Sequence, residues 1–165
     1  MKKTELKIRV CGDPVLSEVA KPVLKITEKH RETLSAMSRL MYEVSGVGLA
    51  AVQIGIAESF FVADIGAGLY KLINPKIIKQ EGTQVMEEGC LSVPGVSVEV
   101  KRAKKITLEA LDENGKPVLI EAEDLLARVF QHEIDHLNGT LILDHVPVAE
   151  RQKLKKKMEN FKEIG

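Results

Sequence analysis

The sequence predicts an α+β fold in which short strands, antiparallel or mixed, pack around one central helix, with further helices near both ends of the chain. Two observations support this prediction. The first is that runs of strand-forming residues, separated by turn signals, fill the middle of the chain. The second is that a stretch with helical periodicity lies on each side of these runs. Strands and helices therefore come in separate blocks, without the regular alternation of a βαβ protein.

The N-terminal helix is predicted to begin after Thr27, whose hydroxyl can cap it, and to run to about Val44. Apolar residues recur along this segment at helical spacing. Its predicted buried side consists of Leu34, Met37, Met41 and Val44. Ser45-Gly46 is expected to end the helix.

Short strands follow, with turns between them and a break at Asn74-Pro75. The predicted ranges are 59–63, 69–78, 96–102, 106–111, 118–120 and 140–143. A last helix is expected to open with Pro147 as its first residue. Its apolar stripe would be Leu154, Met158 and Phe161, and its solvated side would carry the four lysines Lys153, Lys155, Lys156 and Lys157.

Composition excludes several classes of protein. The 24 basic side chains balance the 24 acidic ones, which argues against a protein whose main role is binding DNA. Two cysteines, Cys11 and Cys90, are too few for a disulfide framework. Charged residues recur too early in the N-terminal segment for it to contain the apolar core of a signal peptide. No run of 18 apolar residues occurs either, so we expect a cytoplasmic protein outside the membrane.

The central helix contains Gln131-His132-Glu133-Ile134-Asp135-His136, in which the two histidines are four residues apart. On a helix this spacing places both imidazoles on one face, where they can share a metal ion, with Glu133 beside them. The flanks continue the helical pattern. The apolar stripe is predicted as Leu125, Val129, His132 and His136, and a polar stripe as Asp124, Arg128, Gln131 and Asp135.

Catalytic metal sites usually have three protein ligands and one open position. From the residues alone, His30, His145 and Cys90 are all candidates for the third ligand. Cys90 has the most suitable surroundings, because the preceding glycine leaves room on one side. A second glycine-rich stretch, residues 46–55, suits either a tight connection or a loop that approaches a ligand closely.

Three segments together resemble the peptide deformylase family, in that family's order and usual separations. They are Gly-Val-Gly-Leu-Ala-Ala-Val-Gln at 46–53, Glu-Gly-Cys-Leu-Ser at 88–92 and Gln-His-Glu-Ile-Asp-His-Leu at 131–137. Residues 12–16 and Asn74-Pro75 also resemble the family, so the likeness covers essentially residues 1–165, as one catalytic domain. Val52 is a departure, since many members have proline there.

The resemblance implies hydrolysis of the N-terminal formyl group of N-formylmethionyl nascent polypeptides, with release of formate. Cys90, His132 and His136 would hold one divalent ion, Fe²⁺ before Zn²⁺ or another transition metal. A metal-bound hydroxide would be the nucleophile. Glu133 would act as general base and then acid. The side-chain amide of Gln53 and the backbone N–H of Leu91 would stabilise the oxyanion.

The resemblance also implies a substrate groove. Its residues would be Val47, Gly48, Met86, Gly89, Leu125 and Val129. The segment from residue 46 to residue 53 would pair with the peptide as an added strand. Glu88 is expected to pair with Arg102 and hold the cysteine loop. The lysines of the last helix could contact ribosomal RNA.

Two other hypotheses about the function make different predictions. A zincin-like endopeptidase would cleave internal bonds of unformylated peptides. A structural zinc domain would need a fourth protein ligand, for which Cys11 is the obvious residue, and its site would be closed to substrate.

Overall fold

The computed structural model describes residues 6–158 and has the predicted α+β architecture. The helices of these residues are Glu28–Glu43 (α1), Asp124–Leu137 (α2) and Val148–Lys157 (α3). The strands are Gly48–Ala50 (β1), Phe60–Ala63 (β2), Tyr70–Glu81 (β3), Gln84–Cys90 (β4), Val93–Arg102 (β5), Lys105–Leu111 (β6) and Pro117–Glu123 (β7). Within the same residues, none of the helices combines the length and the apolar character needed to cross a bilayer.

The strands form two separate antiparallel units. Five of them make one sheet in the order β1-β2-β3-β6-β7, so β1 and β7 lie at its edges. The other two, β4 and β5, pair with each other and with no further strand of residues 6–158, and they form a ribbon in which β4 ends at Cys90. The ribbon therefore carries the predicted third metal ligand, while α2 carries the two histidines.

The apolar side chains gather in three clusters. In the first, α2 packs on the sheet through residues such as Phe130, which contacts Phe61 of β2. In the second, α1 packs against β1 and β2, and Leu34, Met37 and Met41 are buried as predicted. The third contains the valines of β5 together with Ile142, Leu143 and Met158. The ribbon and α2 thus belong to different apolar clusters.

Several predicted elements need correction. Residues 140–143 do not form a strand, because Ile142–His145 is a 3-10 helix whose apolar residues are buried against the ribbon. Pro147 is the cap of α3 and not its first residue. Phe161 of the predicted apolar stripe lies outside the described residues.

Asn74-Pro75 does not end a strand, because β3 continues through it with a shifted register. Asn74 has a φ of 51°, and its side-chain amide binds the backbone of Val23 in both directions at 2.8 Å. Since Asn tolerates this left-handed conformation, the strand accommodates a bulge where the local pattern indicates a break.

Candidate metal centre and active site

Three donor atoms converge at the predicted metal centre. Sγ of Cys90 lies 3.3 Å from Nε2 of His136, which lies 3.2 Å from Nε2 of His132, and all three atoms are within 4.8 Å of one another. In a tetrahedral site with bonds of about 2.1 Å, ligand atoms are separated by about 3.4 Å. One thiolate and two imidazoles at these separations fit a divalent transition metal such as zinc or ferrous iron.

Helix α2 and the ribbon orient these ligands. His132 and His136 are one turn apart on α2 with their rings 4.9 Å apart. Nδ1 of His132 lies 2.9 Å from Oε1 of Glu88, which leaves Nε2 of this ring free to face Cys90 and His136. A carboxylate behind a ligating imidazole fixes its tautomer and increases its basicity. Burial opposes protonation of His132, but the hydrogen bonds to Cys90 and Glu88 outweigh it and raise its pKa. Burial and the neighbouring His132 lower the pKa of His136.

Glu88 is the centre of a buried ionic network. Arg102 donates to its carboxylate through Nε and Nη2 at 3.0 and 2.9 Å, which matches the predicted pair. Arg128 donates to the same carboxylate through Nη1, and Arg102 also binds Asp135 of α2. Burial opposes ionisation of Glu88, but these hydrogen bonds and charges hold its pKa well below its usual range.

The predicted polar stripe of α2 is buried in its central part. Arg128 is 4% exposed and Gln131 is 8% exposed, so neither is part of a solvated face. Gln131 exchanges two 2.9 Å hydrogen bonds with the backbone of Ala103. The predicted apolar stripe also differs, because Leu125 is 47% exposed at the mouth of a groove.

Glu133 is buried beside the predicted metal ligands and is 3% exposed. Its Oε1 has no hydrogen-bond partner among residues 6–158, and burial raises its pKa to about 7. A carboxyl group with this pKa can accept and return a proton near neutral pH, as a general base and acid must.

Gln53 is held with its amide N–H groups toward the predicted metal ligands. Its Oε1 accepts a 2.9 Å hydrogen bond from the N–H of Ala50, so Nε2 must point the other way. Nε2 lies 3.0 Å from Oγ of Ser92 and 3.8 Å from Sγ of Cys90. Ser92 is therefore a partner that the sequence interpretation missed, although it closes the segment that contains Cys90.

A groove of about 560 Å³ opens beside this centre. Its lining includes every residue that the resemblance assigned to substrate binding, namely Val47, Gly48, Met86, Gly89, Leu125 and Val129. Gln53, Cys90, Leu91, His132 and Glu133 line it as well. Ser45, Ser97 and Arg128 also border the groove and were not assigned by sequence. Of these three residues, Arg128 could have been identified from the sequence, because it lies one helical turn before His132.

The other candidate ligands lie elsewhere. Nδ1 of His30 accepts a hydrogen bond from the N–H of Thr27, and its Nε2 lies 3.0 Å from Glu58, so this ring caps α1. His145 is exposed, and its Nε2 lies 2.9 Å from Oδ2 of Asp135. Among residues 6–158, the one group of side chains able to hold a metal contains Cys90 and the two histidines without Cys11.

Comparison with known proteins agrees with the geometry. Residues 5–153 match the family model described as polypeptide deformylase. The chain is 54% identical over 143 residues to a peptide deformylase of Halothermothrix orenii, covering 86% of this chain and 93% of the relative. The peptide deformylase of Thermotoga maritima is 49% identical over 153 residues, with 92% and 93% covered.

Solved structures give the same result. The crystal structure of the Thermotoga maritima peptide deformylase superimposes with a TM-score of 0.85 at 48% identity, covering 88% of this chain and 99% of that chain. The crystal structure of a peptide deformylase from Legionella pneumophila gives 0.91 at 41% identity, covering 96% and 95%. The chain therefore belongs to the polypeptide deformylase family of hydrolases.

Proposed function

We propose that this chain removes the formyl group from N-formylmethionyl nascent polypeptides, with one divalent metal ion held by Cys90, His132 and His136. The observation that carries the proposal is the convergence of the three donor atoms beside a groove that Cys90, His132, Glu133 and Gln53 line. When bound, the ion supplies a Lewis acid for the formyl oxygen and makes a water molecule acidic enough to react near neutral pH.

The protein residues carry the proton and the developing charge. Glu133 accepts a proton from the attacking water and delivers it to the leaving amine, so that formate and a free N-terminus are released. Gln53 donates from Nε2 to the oxyanion, because Ala50 already occupies its Oε1. The backbone N–H of Leu91 is proposed as a second donor. A single thiolate with two imidazoles suits Fe²⁺ as well as Zn²⁺, with Fe²⁺ our first choice.

The substrate backbone is proposed to pair with β1, which is an edge strand of the five-stranded sheet. Met86, Leu125 and Val129 are apolar and line the groove, where they would cover the methionine side chain. Burying a side chain of this size contributes about 1.5–3 kcal/mol to binding. We propose the cytoplasm as the compartment, because the proposed substrates are nascent chains with formylated N-termini.

The test is formate release from formyl-Met-Ala-Ser by protein loaded anaerobically with iron. The proposal predicts turnover, and it predicts that Glu133→Ala abolishes turnover while the metal stays bound. Near-normal deformylation by Glu133→Ala would contradict the assigned role. Cleavage of unformylated peptides at internal bonds would instead favour the endopeptidase. In the cobalt-substituted protein, one sulfur ligand and an exchangeable water favour the enzyme, whereas two sulfurs favour a structural zinc.

Contact with the ribosome is proposed for α3, whose lysines are exposed while Leu154 and Met158 pack on the third cluster. Truncation after Ala149 would also remove the buried Met158, so reversing the charge of Lys153, Lys155, Lys156 and Lys157 to glutamate is the cleaner test. The variant should lose salt-sensitive co-sedimentation with ribosomes and keep formate release. Unchanged co-sedimentation would rule out this contact.

A further inference from the structure

The proposed metal centre lies at a seam between two parts of the protein that have separate apolar cores. The apolar side chains of α2, such as Val129 and Phe130, belong to the cluster on the five-stranded sheet. The ribbon packs its valines against Ile142, Leu143 and Met158, and Cys90 contacts that cluster. Leu141 packs against both clusters, but the buried apolar residues of α2 belong to the first cluster and none of them to the cluster of the ribbon. The direct link between α2 and the ribbon is therefore made by polar contacts that cross the seam.

Arg128 makes contacts across this seam to both strands of the ribbon. From α2, its Nη1 donates to the Glu88 carboxylate and, at 2.9 Å, to the carbonyl of Val100 on β5. Its Nη2 donates at 2.7 Å to the carbonyl of Gln84 on β4. The side chain is 5% exposed and that of Glu88 is 7% exposed, so solvent screens this pair weakly. The planar guanidinium supplies these donors in one fixed arrangement, which a lysine cannot reproduce.

Arg102 makes the reciprocal contact. It extends from β5 to Asp135 on α2 and also binds Glu88. Glu88 in turn contacts Nδ1 of His132. Arg102 therefore divides its charge between two acids, whereas Glu88 is the one carboxylate bound by Arg128 in the described residues. Removing Arg128 would leave the buried Glu88 with one of its two arginine partners and would remove the hydrogen bonds from α2 to the carbonyls of Gln84 and Val100 on the two ribbon strands.

We propose that Arg128 is a positioning residue of the metal centre, which clamps the Cys90 ribbon against the helix carrying His132 and His136 and so controls how firmly the three donors hold the ion. This inference rests on the proposed metal ligands. It concerns the strength of the site and not the chemistry of Glu133 or Gln53.

The experiment measures the rate at which the zinc-loaded full-length protein releases its metal to an excess of chelator. Arg128→Met removes the clamp and keeps a side chain of similar length, and it should release zinc at least about tenfold faster than the parent. Arg128→Lys keeps the charge beside Glu88 without the two carbonyl contacts. Its rate of zinc release should lie between those of the parent and of Arg128→Met. Arg151→Met is the matched control, because Arg151 also donates to backbone carbonyls, but those of Leu143 and Val146 in the segment before α3 and not those of the ribbon strands.

The cobalt-substituted proteins add a readout that a general loss of stability would not change. Arg128→Met should weaken the charge-transfer absorption from the Cys90 thiolate to cobalt, while Arg151→Met should leave it unaltered. Release from Arg128→Met within about twofold of the parent would overturn the proposal. If Arg128→Met does not fold, Arg128→Lys decides: faster release supports the clamp and an unchanged rate rejects it. A parent protein that binds zinc through one thiolate but releases no formate after anaerobic loading with iron would reject the proposed function and leave this test intact.

Discussion

Gly48 leaves the space that the carboxylate of Glu133 occupies. A Cβ atom at position 48 would lie 2.4 Å from Oε2 and 2.8 Å from Cδ of Glu133. Real Cβ atoms do not approach other atoms this closely, so any larger residue at this position must displace Glu133 or the strand. The contact links β1, the proposed peptide-binding edge, directly to the proposed general base.

Gly48→Ala should therefore reduce formate release by about a hundredfold, because displacement of a catalytic group by about 1 Å has effects of this size. The atoms nearest to this Cβ all belong to Glu133 and none to the proposed metal ligands, so the metal content should stay the same. Gly46→Ala provides a graded comparison in the same segment, since its Cβ would meet the flexible end of Leu91 at 3.1 Å and Met41 at ordinary contact distances of 3.5 and 3.6 Å. Equal losses in the two variants would show that the Glu133 contact is not responsible.

Burial of Glu133 should make the metal-free protein less stable as the pH rises. Burial raises its pKa from 4.5 to about 7 in the folded protein, so between these values the folded state retains a proton that the unfolded chain has lost. The free energy of unfolding then falls with pH, by about 3 kcal/mol in total for this shift. The side chain at position 133 does not titrate in Glu133→Gln. The difference in free energy of unfolding between this variant and the parent should therefore shift in favour of the variant by this amount between about pH 4.5 and pH 8. Urea unfolding of both proteins across this range measures it, and parallel curves would contradict the prediction.

Glu88 should have the opposite effect. Hydrogen bonds and neighbouring charges hold its pKa below 4.5, so its contribution to stability is present above that pH and is lost as the pH falls toward the folded-state pKa. Glu88→Gln leaves buried arginines without their acid and should cost about 3–5 kcal/mol near neutral pH, with a smaller difference in acid. Glu87→Gln, its exposed neighbour on β4, should change stability by less than about 0.5 kcal/mol. A large loss that does not vary with pH would point to packing in place of charge.

The sequence allowed the helices and most of the sheet strands to be predicted because each carries a local signal. The histidine pair of α2 follows helical spacing, and α1 begins after Thr27 as its capping residue indicates. Strand β4 has no such signal. It contains Val85, Met86 and Glu87 as exposed residues in succession, and its pairing with β5 defines it as a strand.

The parts that sequence reasoning missed depend on partners far along the chain. Arg128 resembles a solvated residue until Glu88, 40 positions earlier, is placed beside it. Asn74 looks like part of a strand break until Val23, 51 positions earlier, binds its side chain. Periodicity and turn propensity describe neighbours within a few residues, and they contain no information about such pairs.

The free edge of β1 should produce an alternating response to substrate methylation. The carbonyl of Val47 accepts a hydrogen bond from the N–H of Asp64, so alternation along the strand turns the polar groups of Gly48 toward the open edge. A peptide added as a strand directs every second N–H at this edge. N-methylation of the amide of formyl-Met-Ala-Ser whose N–H points at this edge should then lower kcat/KM about tenfold, mainly through KM. Methylation of the adjacent amide, whose N–H points away from the edge, should have little effect. Steady-state formate release from the two methylated peptides measures this difference. Equal effects at both amides would exclude strand addition, because a strand cannot present consecutive N–H groups to the same edge.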